Sequence, residues 1–95
     1  MERYHAEMLA VSRAGHDKGT YYVVLGQEGG VLFLTDGKNR LLEQPKRKNQ
    51  KHVQLIKHLP GEMMAELSHI GSDADVRRAL KLYQSLSAPN SKEKR

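Results

Sequence analysis

The chain has no cysteine, no tryptophan, one phenylalanine and three prolines in 95 residues. Without cysteine there is no disulfide framework, no thiolate zinc site, no iron–sulfur cluster and no cysteine nucleophile. No run approaches the roughly 18 consecutive apolar residues of a membrane span, so no membrane partner is expected. The opening stretch MERYHAEMLAVSRAGHDK carries charges every few positions, unlike a secretory signal, and a cytoplasmic location is expected. Catalytic constellations are missing too. His5, His16, His52, His58 and His69 form no HExxH pair, and neither a nucleophile elbow nor a Walker loop is present. His16 and Asp17 are adjacent, and adjacent side chains on a strand or turn generally point apart. The glycines of LGQEGG (25–30) are turn glycines, because no Lys-Ser/Thr and no strand-to-helix step follows them. The expectation is therefore a non-enzyme with no metal, no cofactor and no small-molecule substrate.

Charge is abundant and unevenly placed. Sixteen Lys and Arg against eleven Asp and Glu give a formal net charge of +5. Residues 1–37 hold three basic and five acidic side chains, whereas 38–58 hold seven basic ones and only Glu43 as an acid. Residues 59–95 are nearly balanced, with six basic and five acidic. The excess thus lies in one segment of 21 residues, centred on PKRKNQKH (45–52). Such a concentration is the electrostatic footprint of a polyanion binder. Lys46, Arg47, Lys48 and Lys51 offer phosphate contacts, and Asn49 and Gln50 offer amides for sugars or base edges. We expect this run to form a structured binding loop between two strands, with Pro45 holding it extended.

Strand patterns dominate up to about residue 57. EMLAVSRA (7–14), TYYVVLG (20–26), VLFLT (31–35), KNRLLE (38–43) and HVQLI (52–56) read as five short strands rich in β-branched and aliphatic residues. Gly29-Gly30 makes a turn, and Asp36-Gly37 predicts a type I′ hairpin turn with positive φ at both central residues. Pro45 is expected to stop the fourth strand. In HVQLI, Val53 and Leu55 share one face and Gln54 and Ile56 the other. Tyr21 and Tyr22 are neighbours on one strand, so one points in; an outward Tyr21 is a candidate base-stacking residue. Helical periods follow. PGEMMAELSHIG (60–71) places Met63, Leu67 and Ile70 on one face, with the Met63-Met64 pair read as core packing; from Ser72, an N-cap, Val76, Ala79, Leu80 and Tyr83 form a second stripe widened by Leu82 and Leu86. Arg77, Arg78, Lys81 and Gln84 fall on the opposite side. The predicted fold is mainly β: an SH3-like barrel over 6–58, with an OB-fold barrel ranked second, two packed helices over 60–87 and a disordered tail at 88–95.

SRAGHDKGTYYVVLG (12–26) resembles a KOW motif, a strand and an AG-x-x-K/R-G loop followed by an apolar strand. The downstream DGKNRLLEQPKRKNQKHVQLI (36–56) and the helix GSDADVRRALKLY (71–83) extend the likeness. Together they resemble small bacterial KOW-domain RNA-binding proteins, similar to KOW-containing large-subunit ribosomal proteins of archaeal and eukaryotic type, over roughly residues 6–84. The resemblance implies an SH3-like barrel and an RNA partner, either ribosomal RNA or an assembling ribosome. It puts Arg13, His16, Lys18 and Gly19 on an RNA-facing loop and Lys46, Arg47, Lys48 and Lys51 on a second basic edge. Where many KOW motifs carry a second glycine, this chain has Thr20-Tyr21-Tyr22. With Lys38, Arg40, Asn49 and His52 beside them, these residues form the expected RNA-binding set, on a chain expected to be monomeric. A protein-interaction module is the competing expectation. Five aromatic side chains in all are few for a peptide-binding aromatic groove, which favours RNA.

Overall fold

The computed structural model describes residues 6–87. Its strands are β1 (Leu9–Ser12), β2 (Tyr21–Glu28), β3 (Val31–Thr35), β4 (Lys46–Asn49) and β5 (Val53–Ile56). They form one antiparallel sheet in the order β4-β3-β2-β1-β5. Five strands were expected and five form, but the fourth is a different segment. Residues 38–43 make no strand; the basic run itself, Lys46–Asn49, pairs with β3.

The backbone chemistry of the 36–42 segment explains the difference. One oxygen of Asp36 accepts hydrogen bonds from the amides of Lys38, Asn39 and Arg40 at 2.9, 3.0 and 2.9 Å. A carboxylate satisfying three successive donors replaces the strand ladder with a closed loop. Asp36 does not adopt the positive φ of a type I′ turn; among the described residues only glycines do. The two-residue hairpin forms instead at Gly29-Gly30, between Glu28 and Val31, with φ of 57° and 83°. Pro45 precedes a strand rather than ending one, a position where its missing N–H costs no ladder bond.

The sheet curls. Flat, its edge strands β4 and β5 would lie about 19 Å apart at the usual strand spacing. Yet only a 3₁₀ turn, Gln50–His52, joins Asn49 to Val53. Four residues bridge at most ~14 Å, and less in this tight turn, so the two edges approach each other at that end. A bulge in β2 between Val24 and Gly26 adds to the bend. No hydrogen-bond ladder closes β4 on β5, so the sheet stays open.

Each face of the sheet has its own core. Ala10, Tyr22, Val24, Leu32 and Leu34 pack together on one face. On the other, Leu9 and Val23 meet Met63 and Leu67 from helix α1 (Gly61–Leu67), Val76, Ala79 and Leu80 from α2 (Asp73–Ser87), and Ile70 from the connection between them. Both helical stripes therefore bury as their periods predict, at about 1.5–3 kcal/mol per fully buried large side chain. Met63 is fully buried, as expected of core packing, whereas Met64 is only half-buried and joins neither core. Ser72 Oγ accepts from the Asp75 amide at 3.2 Å, the expected cap. Helix α1 is shorter than predicted, and Leu86 remains 39 % exposed instead of widening the buried stripe. The predicted tail at 88–95 lies outside the described residues.

Candidate nucleic-acid interface

The loop between β1 and β2 is organised around Asp17. Its carboxylate accepts from Tyr22 Oη at 2.7 Å, Ser12 Oγ at 2.8 Å and Lys48 Nζ at 3.0 Å. Lys46 Nζ stands 4.0 Å away. Lys48 also donates to the Ala14 carbonyl at 3.0 Å. On β4, Lys46 and Lys48 are registered opposite Leu34 and Leu32, so they share the face of Tyr22 and Val24. Lys48 thus reaches across the open curl and ties the loop to the edge strand. Burial by itself would raise the Asp17 carboxyl, but the Tyr22, Lys48 and Ser12 hydrogen bonds and the Lys48 charge outweigh it and hold the group well below the usual carboxylate range. Burial and the neighbouring Asp17 carboxylate push the Tyr22 hydroxyl far above its ordinary value.

The 36–40 loop approaches the same place from the other side. Gly15, His16, Asp17, Thr20, Tyr22, Asp36, Asn39, Arg40, Lys46 and Lys48 line a cleft of about 490 Å³. Two acids face three permanent cations there. The Asp17 carboxylate is already engaged by the protein's own donors, as is one oxygen of Asp36. Lys18 and Lys38 are exposed. The 36–40 loop is fixed in turn to α2: Arg77 donates to the Gly37 carbonyl at 2.6 Å, and the Leu42 amide to Asp73 at 2.8 Å.

The predicted set therefore divides. His16, Lys46, Lys48 and Arg40 come together in the cleft, with Lys38 on the same loop as Arg40. Gly19 has a φ of 90°, the positive-φ role the motif implied. Arg47 and Asn49 alternate onto the opposite face of β4, where Arg47 lies 5.7 Å from the Phe33 ring centroid. Lys51 and His52 are exposed on the 3₁₀ turn. Arg13 binds Gln54 on β5, and its amide donates to the His52 carbonyl. Tyr22 is the inward tyrosine, 3 % exposed. Tyr21 is half-buried and stands against Tyr83 of α2, ring centroids 5.7 Å apart. Sequence reasoning gave Asp17 and Phe33 no role. A buried tyrosine hydroxyl needs a hydrogen-bond partner, and that requirement was the available signal for Asp17.

No protein-family model matches the chain, and comparison with curated proteins finds no match. Among the described residues, no helix is long and apolar enough to cross a membrane and no group of three or more His, Asp or Glu could hold a metal ion.

Proposed function

We propose that this protein binds structured RNA through a KOW-type, SH3-like barrel, in the manner of a ribosomal protein or a ribosome-associated factor. One observation carries the reading: cations from the 36–40 loop and from β4 line one cleft with the 13–20 loop. Support for the barrel comes from the curled five-strand sheet and the three-residue return from β4 to β5. In this reading Lys48 holds the loop in shape through Asp17, while Arg40, Lys46, Lys38 and Lys18 meet phosphates. Arg47 beside Phe33 gives a flat cationic and aromatic surface on which a base can stack.

Fluorescence anisotropy with a labelled stem-loop RNA tests the proposal. With roughly four to six phosphate contacts, log K falls against log[salt] with a slope of about −3 to −5. Replacing Lys38 and Arg40 together by Gln flattens that slope and leaves the thermal transition in place. A slope near zero, or heparin competing as well as the same RNA unlabelled, refutes RNA binding.

A further inference from the structure

A second cleft, of about 590 Å³, adjoins the first and shares Thr20 and Asp36 with it. Its floor is Gly19, Thr20, Tyr21 and Leu80, and its far wall is α2. The three polar side chains of that wall are Arg77, Lys81 and Gln84, at i, i+4 and i+7, which one helix face presents in line. Lys38 faces them from the 36–40 loop. Lys38, Arg77 and Lys81 are all exposed. Among the described residues neither Lys38 nor Lys81 has an ion-pair partner. Asp36 is the only acid lining the cleft, and one of its oxygens is occupied by three amides of its own loop.

We propose that the RNA backbone continues from the first cleft into the second, so that α2 is part of the interface, with Lys81 and Lys38 as phosphate ligands. This rests on the RNA-binding reading. The two clefts make one track. It runs from Lys46 and Arg40, over Thr20 and Asp36, to Lys38, Arg77 and Lys81, and its charge complements a polyphosphate. The same helix therefore has two jobs on adjacent faces. Val76, Ala79 and Leu80 are buried against the sheet, while Arg77, Lys81 and Gln84 form the wall of the track. Arg77 has a dual position, because it also supports the Gly37 carbonyl; Lys81 has no such bond and is the cleaner probe.

The test compares wild type, Lys81→Gln and Arg78→Gln on the labelled stem-loop RNA across a salt series. Arg78 is one residue from Arg77, exposed and outside the cleft. Lys81→Gln is expected to make the salt slope shallower by about one, irrespective of RNA sequence, while Arg78→Gln leaves it unchanged. A directional measurement stands beside it. Since the chain has no cysteine, Gln84→Cys and Glu28→Cys each give a single thiol for an iron chelate that cleaves nearby RNA. Glu28 lies seven residues along β2 from Tyr21 in the cleft floor, or about 23 Å. Cleavage from position 84 and not from 28 is expected. If wild type binds RNA with a steep slope but Lys81→Gln behaves as Arg78→Gln does, or cleavage arises only from position 28, α2 is outside the interface. If wild type shows no salt-dependent RNA binding, the RNA reading fails and this proposal with it.

Discussion

The Asp17 carboxylate is the shared hydrogen-bond partner of side chains from β1, β2 and β4 at this end of the sheet. Asp17→Ala deletes three acceptor contacts, from Tyr22, Ser12 and Lys48. It leaves the Lys48 ammonium, only 12 % exposed, without its counter-charge, although the Ala14 carbonyl remains. Stranding one partner of a buried pair costs about 3–5 kcal/mol, against a total of about 5–15 kcal/mol for a domain. At about 4–8 °C per kcal/mol for this size, the midpoint falls by roughly 12–40 °C. Asp17→Asn keeps an acceptor for Tyr22 or Ser12 and is expected to cost less, about 1–3 kcal/mol. Urea titrations followed by circular dichroism measure both. A double-mutant cycle with Lys48→Met isolates the pair, with an expected coupling of about 0.5–3 kcal/mol. If Asp17→Ala costs no more than Lys18→Ala on the same loop, or the cycle gives zero coupling, the loop is not latched to β4 and the reasoning fails.

Stability should also depend on pH at both ends of the scale. Asp17 and Asp75 are held below the ordinary carboxylate range, Asp75 chiefly by the Gly71 amide. Their contribution is therefore present above pH ~4 and drains as pH falls below it. The Tyr22 hydroxyl is held above its ordinary value of 10.0, so its contribution is present below that pH and is lost as pH rises beyond it; Tyr22→Phe should flatten the alkaline limb of a urea-midpoint profile. A methyl at Gly37 would sit 2.6 Å from the Asp73 carbonyl oxygen at a φ of 76°, and Gly37→Ala is expected to cost about 2–5 kcal/mol by the same titration. Leu80→Ala, which empties a buried position on α2, should cost about 2–5 kcal/mol, while Arg78→Ala should stay within about 0.5 kcal/mol; equal, mild effects would mean α2 is not docked on the sheet.

The helices and four of the five strands were legible because each follows a single local rule. Leu67 and Ile70, or Val76 and Leu80, recur at helical spacing and are buried together; Tyr22 and Val24 alternate as a strand demands. The 36–49 stretch was not legible, because the Asp36 carboxylate closes the loop locally and two non-local contacts hold it in place. Asp36-Gly37 resembles a hairpin turn until Asp73 and Arg77, more than thirty residues away, take hold of Leu42 and Gly37. Lys46–Asn49 reads as a binding loop by composition. It forms a strand because β3 offers a ladder and because the stems of Lys46 and Lys48 can cover Leu34 and Leu32. Lysines on an edge strand also discourage pairing with other chains.

Composition located the charge but not its division of labour. The 38–58 segment looked like a uniform run of phosphate contacts, yet period-two alternation on β4 separates its members. Lys46 and Lys48 turn toward Asp17, while Arg47 and Asn49 turn to the opposite face with Phe33. One lysine is thereby committed to holding the 13–20 loop, and its charge is largely spent inside the protein. The cations left for a polyanion then come from the start of that segment, Lys38 and Arg40 on the 36–40 loop, and, by our proposal, from the outer face of α2, which composition did not mark. A salt slope summed over every basic residue of the run would therefore overstate the contacts from β4 and omit those from the helix. Measuring the slope for Lys48→Met beside Lys81→Gln separates the two accounts: on the structure's geometry, Lys48→Met lowers stability and leaves the slope of the folded fraction nearly intact, whereas Lys81→Gln does the reverse.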